Sequence, residues 1–150
     1  HAFAAENGIE LVPLTTLLRE ADFVSIHTPL SPATRNLIGA AELALMKPTA
    51  FIVNTARGGL IDEAALHEAL AARRIAGAGL DVFAQEPPTG SPLLGLDNVL
   101  FAPHAAGMDE AAERLMAERC VASILAIHAG VDPGDGYVLN PSVLARHVAA

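Results

Sequence analysis

Phe51–Asn54 reads FIVN and runs directly into Thr55-Ala56-Arg57-Gly58-Gly59. The apolar run is too short for a helix, and the turn-prone ARGG stops it, so it reads as a strand. Asp62 then stands where an N-cap belongs, ahead of a helix over Glu63–Arg74 in which Leu66 and Leu70 are spaced by four. The same alternation recurs on both sides. Upstream, Ile9–Val12 reads as a first short strand and Leu14–Ala21 as a helix. Asp22–Ile26 (DFVSI) reads as a strand opening into the loop His27–Pro32, and Ala40–Met46 as a helix. Lys47-Pro48 ends that helix, because proline disfavours helical geometry in the residue before it. Downstream come a small-residue strand over Ile75–Val82, a Pro- and Gly-rich loop, a last strand over Val99–Ala102 and a long helix over Asp109–Ala129. The glycines of Ile75–Val82 are expected to let a helix pack closely. Strands alternating with helices imply an α/β fold of Rossmann-like type, a parallel sheet with helices on both faces. Residues 1–130 read as one domain portion and 131–150 as a Gly- and Pro-rich tail ending in a short helical patch.

Composition narrows the function classes. The chain has 150 residues, 52% of them hydrophobic and 17% charged, and the apolar content is broken into short runs. No run reaches the length of a membrane span, so a soluble protein is expected. A net charge of −8 argues against nucleic-acid binding, which needs a basic face. Cys120 is the only cysteine, which excludes an internal disulfide and a cysteine-based zinc site. It is expected to be a buried helical thiol, and a cytosolic location is expected with it. The chain opens on His1 with no signal-peptide pattern and no strand before it, and so reads as a piece of something longer.

In open α/β sheets, ligands bind beyond the carboxyl ends of the strands. His27, Arg57 and His104 each fall within a few residues after an expected strand and Asp81 terminates one, which gathers four polar groups on one edge. Arg57, flanked by Gly58 and Gly59, offers a rigid fork of donors matched to a carboxylate. His104 lies at a strand end before Ala105, Ala106 and Gly107, and histidine exchanges protons readily near neutrality. Glu86, in the proline-rich loop, would favour the imidazolium if it met that ring; otherwise it is a solvated loop glutamate. Asp81 needs a partner if buried, either a cofactor amide or a backbone cap. Thr28 and Pro29 could form a wall beside a nucleotide. His67, His128 and His147 fall in helical patterns, are expected to face solvent and receive no role. No metal site is expected. There is no G-x-S-x-G elbow and no Walker loop, and Gly77-Ala78-Gly79 lies inside a strand, which disqualifies it as a dinucleotide fingerprint.

Four ordered blocks, DFVSIHTPLSPATRNLIG, VNTARGGLIDEAAL, GAGLDVFAQEPP and NVLFAPHAAG, resemble those of the D-isomer-specific 2-hydroxyacid dehydrogenases, including hydroxypyruvate and glyoxylate reductases and phosphoglycerate dehydrogenases. The resemblance runs from about His1 to Leu144. It implies catalytic roles for Arg57 (binding the substrate carboxylate), His104 (proton donor to the keto oxygen) and Glu86 (orienting His104). It implies that Thr28, Pro29, Thr55 and Gly107 contact NAD or NADP, that Asp81 faces the nicotinamide, and that the substrate is a small 2-keto or 2-hydroxy acid. A homodimer is implied for the full-length protein. The family's G-x-G-x-x-G loop and its substrate domain are not in this sequence, so the chain alone is expected to bind NAD weakly or not at all. The segment Val138–Ala150 is expected to lack its partner. The alternative reading is a non-catalytic, NAD-sensing protein of corepressor type.

Overall fold

The computed structural model describes residues 2–134 together with Tyr137, Val138, Asn140 and Ser142. The chain forms two compact units, His1–Ala106 and Gly107–Ala150; the sequence reading divides it near residue 130. The helical patch expected at the end of the tail lies outside the described residues.

The first unit opens with α1 (Ala2–Glu6) and α2 (Leu14–Glu20), followed by β1 (Phe23–Ile26), α3 (Ala40–Leu43), β2 (Phe51–Asn54), α4 (Glu63–Ala71), β3 (Gly77–Leu80) and β4 (Val99–Phe101). A 3₁₀ turn at Pro92–Gly95 precedes β4. The strands lie in chain order and pair in parallel throughout. This is the parallel α/β arrangement that the alternation predicts, with α2, α3 and α4 on one face where helices on both were expected, and parallel pairing sets all four carboxyl ends on one edge.

Register sorts the side chains. The rows Val24–Ile52–Ala78–Val99 and Ile26–Asn54–Leu80 point to one face, where they pack with Leu18 of α2, Leu43 of α3 and Leu66 and Leu70 of α4. The alternate residues point the other way: Phe23 is 72% exposed and Leu100 80%, and Phe23 stacks on Phe51 with ring centroids 5.6 Å apart. Gly77 shares that row. A Cβ there would lie 2.9 Å from the Phe51 ring and 2.7 Å from the Asn98 carbonyl oxygen. Its glycine thus makes room for the neighbouring strand and its aromatic, where close helix packing was expected.

Several boundaries differ from the sequence reading. Ile9–Val12 forms no strand: the segment is irregular and Ile9 and Leu11 are exposed. Without a neighbour to supply ladder hydrogen bonds, an apolar run before Pro13 has nothing to hold it extended. α4 ends at Ala71 and not at Arg74, because Arg73 turns to φ +54 and the Arg74 N–H bonds back to the Ala69 carbonyl at 2.8 Å. Its start is as expected, with the Asp62 carboxylate accepting from Ala64 and Ala65.

In the second unit, α5 (Glu110–His128) is capped by Asp109, which accepts from Ala111 and Ala112 at 2.9 Å each. No residue of α5 is buried. Cys120 is therefore exposed, and the expected buried thiol is corrected. No helix among the described residues is long and apolar enough to cross a membrane.

Leu66 is fully buried where α4 meets the sheet. Leu66→Ala should lower the unfolding free energy by about 2–5 kcal/mol, read as a reduced urea midpoint at an unchanged slope.

Candidate active site

Each strand of the sheet ends in a polar residue or a polar turn. At the end of β2, Asn54 is only 2% exposed and spends its amide on its own turn. Its Oδ1 accepts from Ala56 N–H at 3.1 Å and its Nδ2 donates to the Arg57 carbonyl at 2.9 Å. A buried amide satisfied in this way fixes the turn that presents Arg57. The Arg57 guanidinium is exposed and donates to the Ala56 carbonyl at 2.7 Å. Among the described residues it has no carboxylate partner. Asn54 is a contributor that the sequence reading passed over, although an amide closing an otherwise apolar strand was the available signal.

A second group forms after β3 and β4. The Glu86 carboxylate accepts from Phe83 N–H through Oε1 at 3.0 Å and meets His104 Nδ1 through Oε2 at 2.8 Å. An ionised carboxylate can only accept, so Nδ1 carries the hydrogen and Nε2 is left as the nitrogen that gains or loses a proton. The hydrogen bond from His104, with that from Phe83, holds the Glu86 carboxyl below the usual range. The His104 side chain is 48% exposed, so the ring is both anchored and accessible.

His104 itself stands at φ +57, a left-handed conformation that costs a non-glycine residue about 1 kcal/mol or more. Asp81, 3% exposed at the end of β3, holds it there. Its two oxygens accept from the N–H groups of Ala105 and Ala106 at 2.8 and 2.9 Å. Burial alone would raise the Asp81 carboxyl; the Ala106 and Ala105 N–H groups outweigh that, the charge of His104 adds to them, and the carboxyl is held below its ordinary value. Of the two partners foreseen for Asp81, the backbone cap is the one present.

The structure therefore divides the expected set. Thr28, Pro29, Thr55 and Arg57 line a cleft of about 570 Å³ at the ends of β1 and β2. Asp81, Glu86 and His104 line another of about 500 Å³, walled by Phe83, Leu94 and Phe101. Arg57 and His104 sit two strands apart, on the order of 10 Å by strand spacing. His27 bonds to Ser25 through Nε2 at 2.8 Å. Gly107 opens the second unit and has open space around its Cα.

A parallel α/β sheet with an arginine, a carboxylate-anchored histidine and two clefts along its carboxyl edge has the architecture of a nucleotide-binding domain. Residues 1–106 match the family described as D-isomer specific 2-hydroxyacid dehydrogenase, NAD binding domain, and the chain belongs to that family. It is 49% identical over 132 residues to a glyoxylate reductase of Korarchaeum cryptofilum, covering 87% of this chain and 40% of that protein. It is 52% identical over 112 residues to a D-3-phosphoglycerate dehydrogenase of Methanocaldococcus jannaschii, covering 74% and 21%. Among solved structures, the NAD-complexed D-isomer specific 2-hydroxyacid dehydrogenase of Lactobacillus delbrueckii ssp. bulgaricus superposes with a TM-score of 0.78 at 39% identity, covering 85% of this chain and 43% of that one. The chain thus spans less than half the length of these relatives.

Asp81 and Glu86 both release their protons more readily in the folded chain than in the unfolded one, where carboxyls titrate near pH 4. The unfolded chain then binds more protons below about pH 5, and stability should be lost as pH falls through that range. Urea midpoints measured from pH 7 to pH 3 would show this decline. Asp81→Asn, which leaves one backbone N–H facing an amide NH₂, should lower stability at pH 7 by about 1–3 kcal/mol and flatten the acid dependence.

Proposed function

We propose that this chain carries the acid–base and substrate-binding groups of a longer NAD- or NADP-dependent enzyme that interconverts a 2-keto acid and its D-2-hydroxy acid. The observation that carries this reading is the Glu86–His104 pair, 2.8 Å apart with the ring half exposed at a strand end. When bound, the nicotinamide cofactor supplies the hydride for reduction and accepts it in the reverse direction.

The chain's own residues supply the rest. His104 Nε2 donates a proton to the keto oxygen as the carbonyl is reduced, and takes it back from the hydroxyl in oxidation. Glu86, ionised and anchored to Phe83 N–H, keeps Nδ1 protonated and so leaves Nε2 as the nitrogen turned to the substrate. Arg57, free of any carboxylate among the described residues, is matched to the substrate's carboxylate and would orient the ketone. The cleft beside it suits a pyridine nucleotide chemically. The hydroxyls of Thr28 and Thr55 make no hydrogen bond among the described residues, and Pro29 offers apolar surface. Asp81 retains lone pairs beyond those given to Ala105 and Ala106 and can face the nicotinamide amide. Gly107 joins the set through the family resemblance alone. The small-acid substrate class follows the relatives named glyoxylate reductase and D-3-phosphoglycerate dehydrogenase. A cytosolic homodimer completes the proposal, supported by the single cysteine and the resemblance.

Loss of NADH absorbance on adding glyoxylate or hydroxypyruvate to the intact enzyme tests the reading. His104→Ala should lower kcat by roughly 10²–10⁴-fold with substrate still bound; near-normal turnover would remove it as the acid. Arg57→Ala should lower kcat/KM by about 10²-fold or more, the equivalent of losing charge-assisted hydrogen bonds, with NADH affinity little changed. An intact enzyme that turns over no short keto acid would favour the NAD-sensing alternative.

A further inference from the structure

The turn that holds Glu86 is gripped from outside by a residue with no role in the chemistry above. Glu63, the first residue of α4, accepts a hydrogen bond from Ala84 N–H at 2.6 Å across 21 residues of sequence. Its helix does not need it as a cap, since Asp62 already satisfies Ala64 and Ala65. The two successive N–H groups of the turn are therefore taken by two carboxylates: Phe83 by Glu86 and Ala84 by Glu63.

Gly58 sets the other side of the same peptide. A Cβ on Gly58 would fall inside the Phe83 carbonyl, so the backbone beside Arg57 lies flat against the Phe83–Ala84 peptide. Its N–H is held by Glu63 and its carbonyl packs on Gly58, so that peptide is braced on both sides. Phe83 N–H, on the preceding peptide, then stays aimed at Glu86.

We propose that Glu63 is a positioning residue, bracing the Phe83–Ala84 peptide so that Glu86 stays directed at His104. The inference rests on reading Glu86 and His104 as the acid pair. Its test uses no turnover, so failure of the brace and failure of the dehydrogenase reading are separate results.

Carboxyl-carbon NMR titration and amide hydrogen exchange of the 150-residue chain supply the readouts. In Glu63→Ala the Glu86 carboxyl should titrate at higher pH than in the unaltered chain, and Phe83 amide exchange should speed up by about tenfold or more, reflecting a loosened local structure. Glu63→Gln, whose amide oxygen can still accept from Ala84, should restore both. A role as nearby negative charge alone predicts the opposite sign, because removing it would let Glu86 titrate lower. That outcome, an unmoved Glu86, or a Glu63→Gln that behaves like alanine would each overturn the proposal. Should Glu63→Ala not fold, the unaltered chain decides: its Ala84 amide signal must follow the Glu63 carboxyl as it titrates, and an Ala84 signal indifferent to that carboxyl overturns the brace.

Discussion

The Asp81 carboxylate is the contact on which the carboxyl edge of the sheet depends. It leaves the end of β3 and takes the two backbone N–H groups that follow His104. Withdrawing a carboxylate from water costs several kcal/mol even after relaxation. Two charge-assisted bonds of about 1.5–3 kcal/mol each offset this, and the depressed titration of Asp81 indicates that they prevail. What this exchange secures is conformation. His104 occupies a backbone region that its side chain disfavours, and the anchored N–H groups of Ala105 and Ala106 prevent the turn from relaxing out of it. A buried charge thus keeps His104 in a backbone conformation that its own side chain disfavours.

The same logic explains the two clefts. Parallel strands place their carboxyl ends at one level and about 4.8 Å apart, so the backbones after β2 and β4 stand on the order of 10 Å apart. Arg57 and His104 are separated by the whole turn after β3. Gly58 fits this geometry, since only a residue without a Cβ lets the Arg57 turn rest on the Phe83–Ala84 peptide.

Much of this was legible in the sequence because it is local. FIVN ended at Asn54 and DFVSI at Ile26 as expected, Asp62 capped where its side chain could reach back, and the last two strands appeared where alternation put them, though each ended short of its expected bound. The failures share a cause as well. Ile9–Val12 has strand composition but no pairing neighbour, Cys120 has helical surroundings but no cover, and α4 stopped early at a left-handed arginine that no propensity marks. Composition reports what a segment can do, and partners decide what it does. Asn54 and Glu63 were missed for the same reason: their importance lies in hydrogen bonds to groups whose positions only the fold supplies.

Glu86 shows how far a resemblance reaches and where geometry takes over. Its block, GAGLDVFAQEPP, points to a glutamate for histidine, yet the residues alone left open whether it touched the ring or faced water. In the fold it does both: its side chain is 38% exposed, and each oxygen has a backbone or ring partner. A carboxylate so exposed gains little from Coulomb attraction by itself, because water screens it. Its hold on His104 must therefore come from direction, and direction comes from the Phe83 N–H that fixes Oε1. The Glu86–His104 pair is in this sense a property of the turn around Phe83 and Ala84 as much as of the two side chains that compose it.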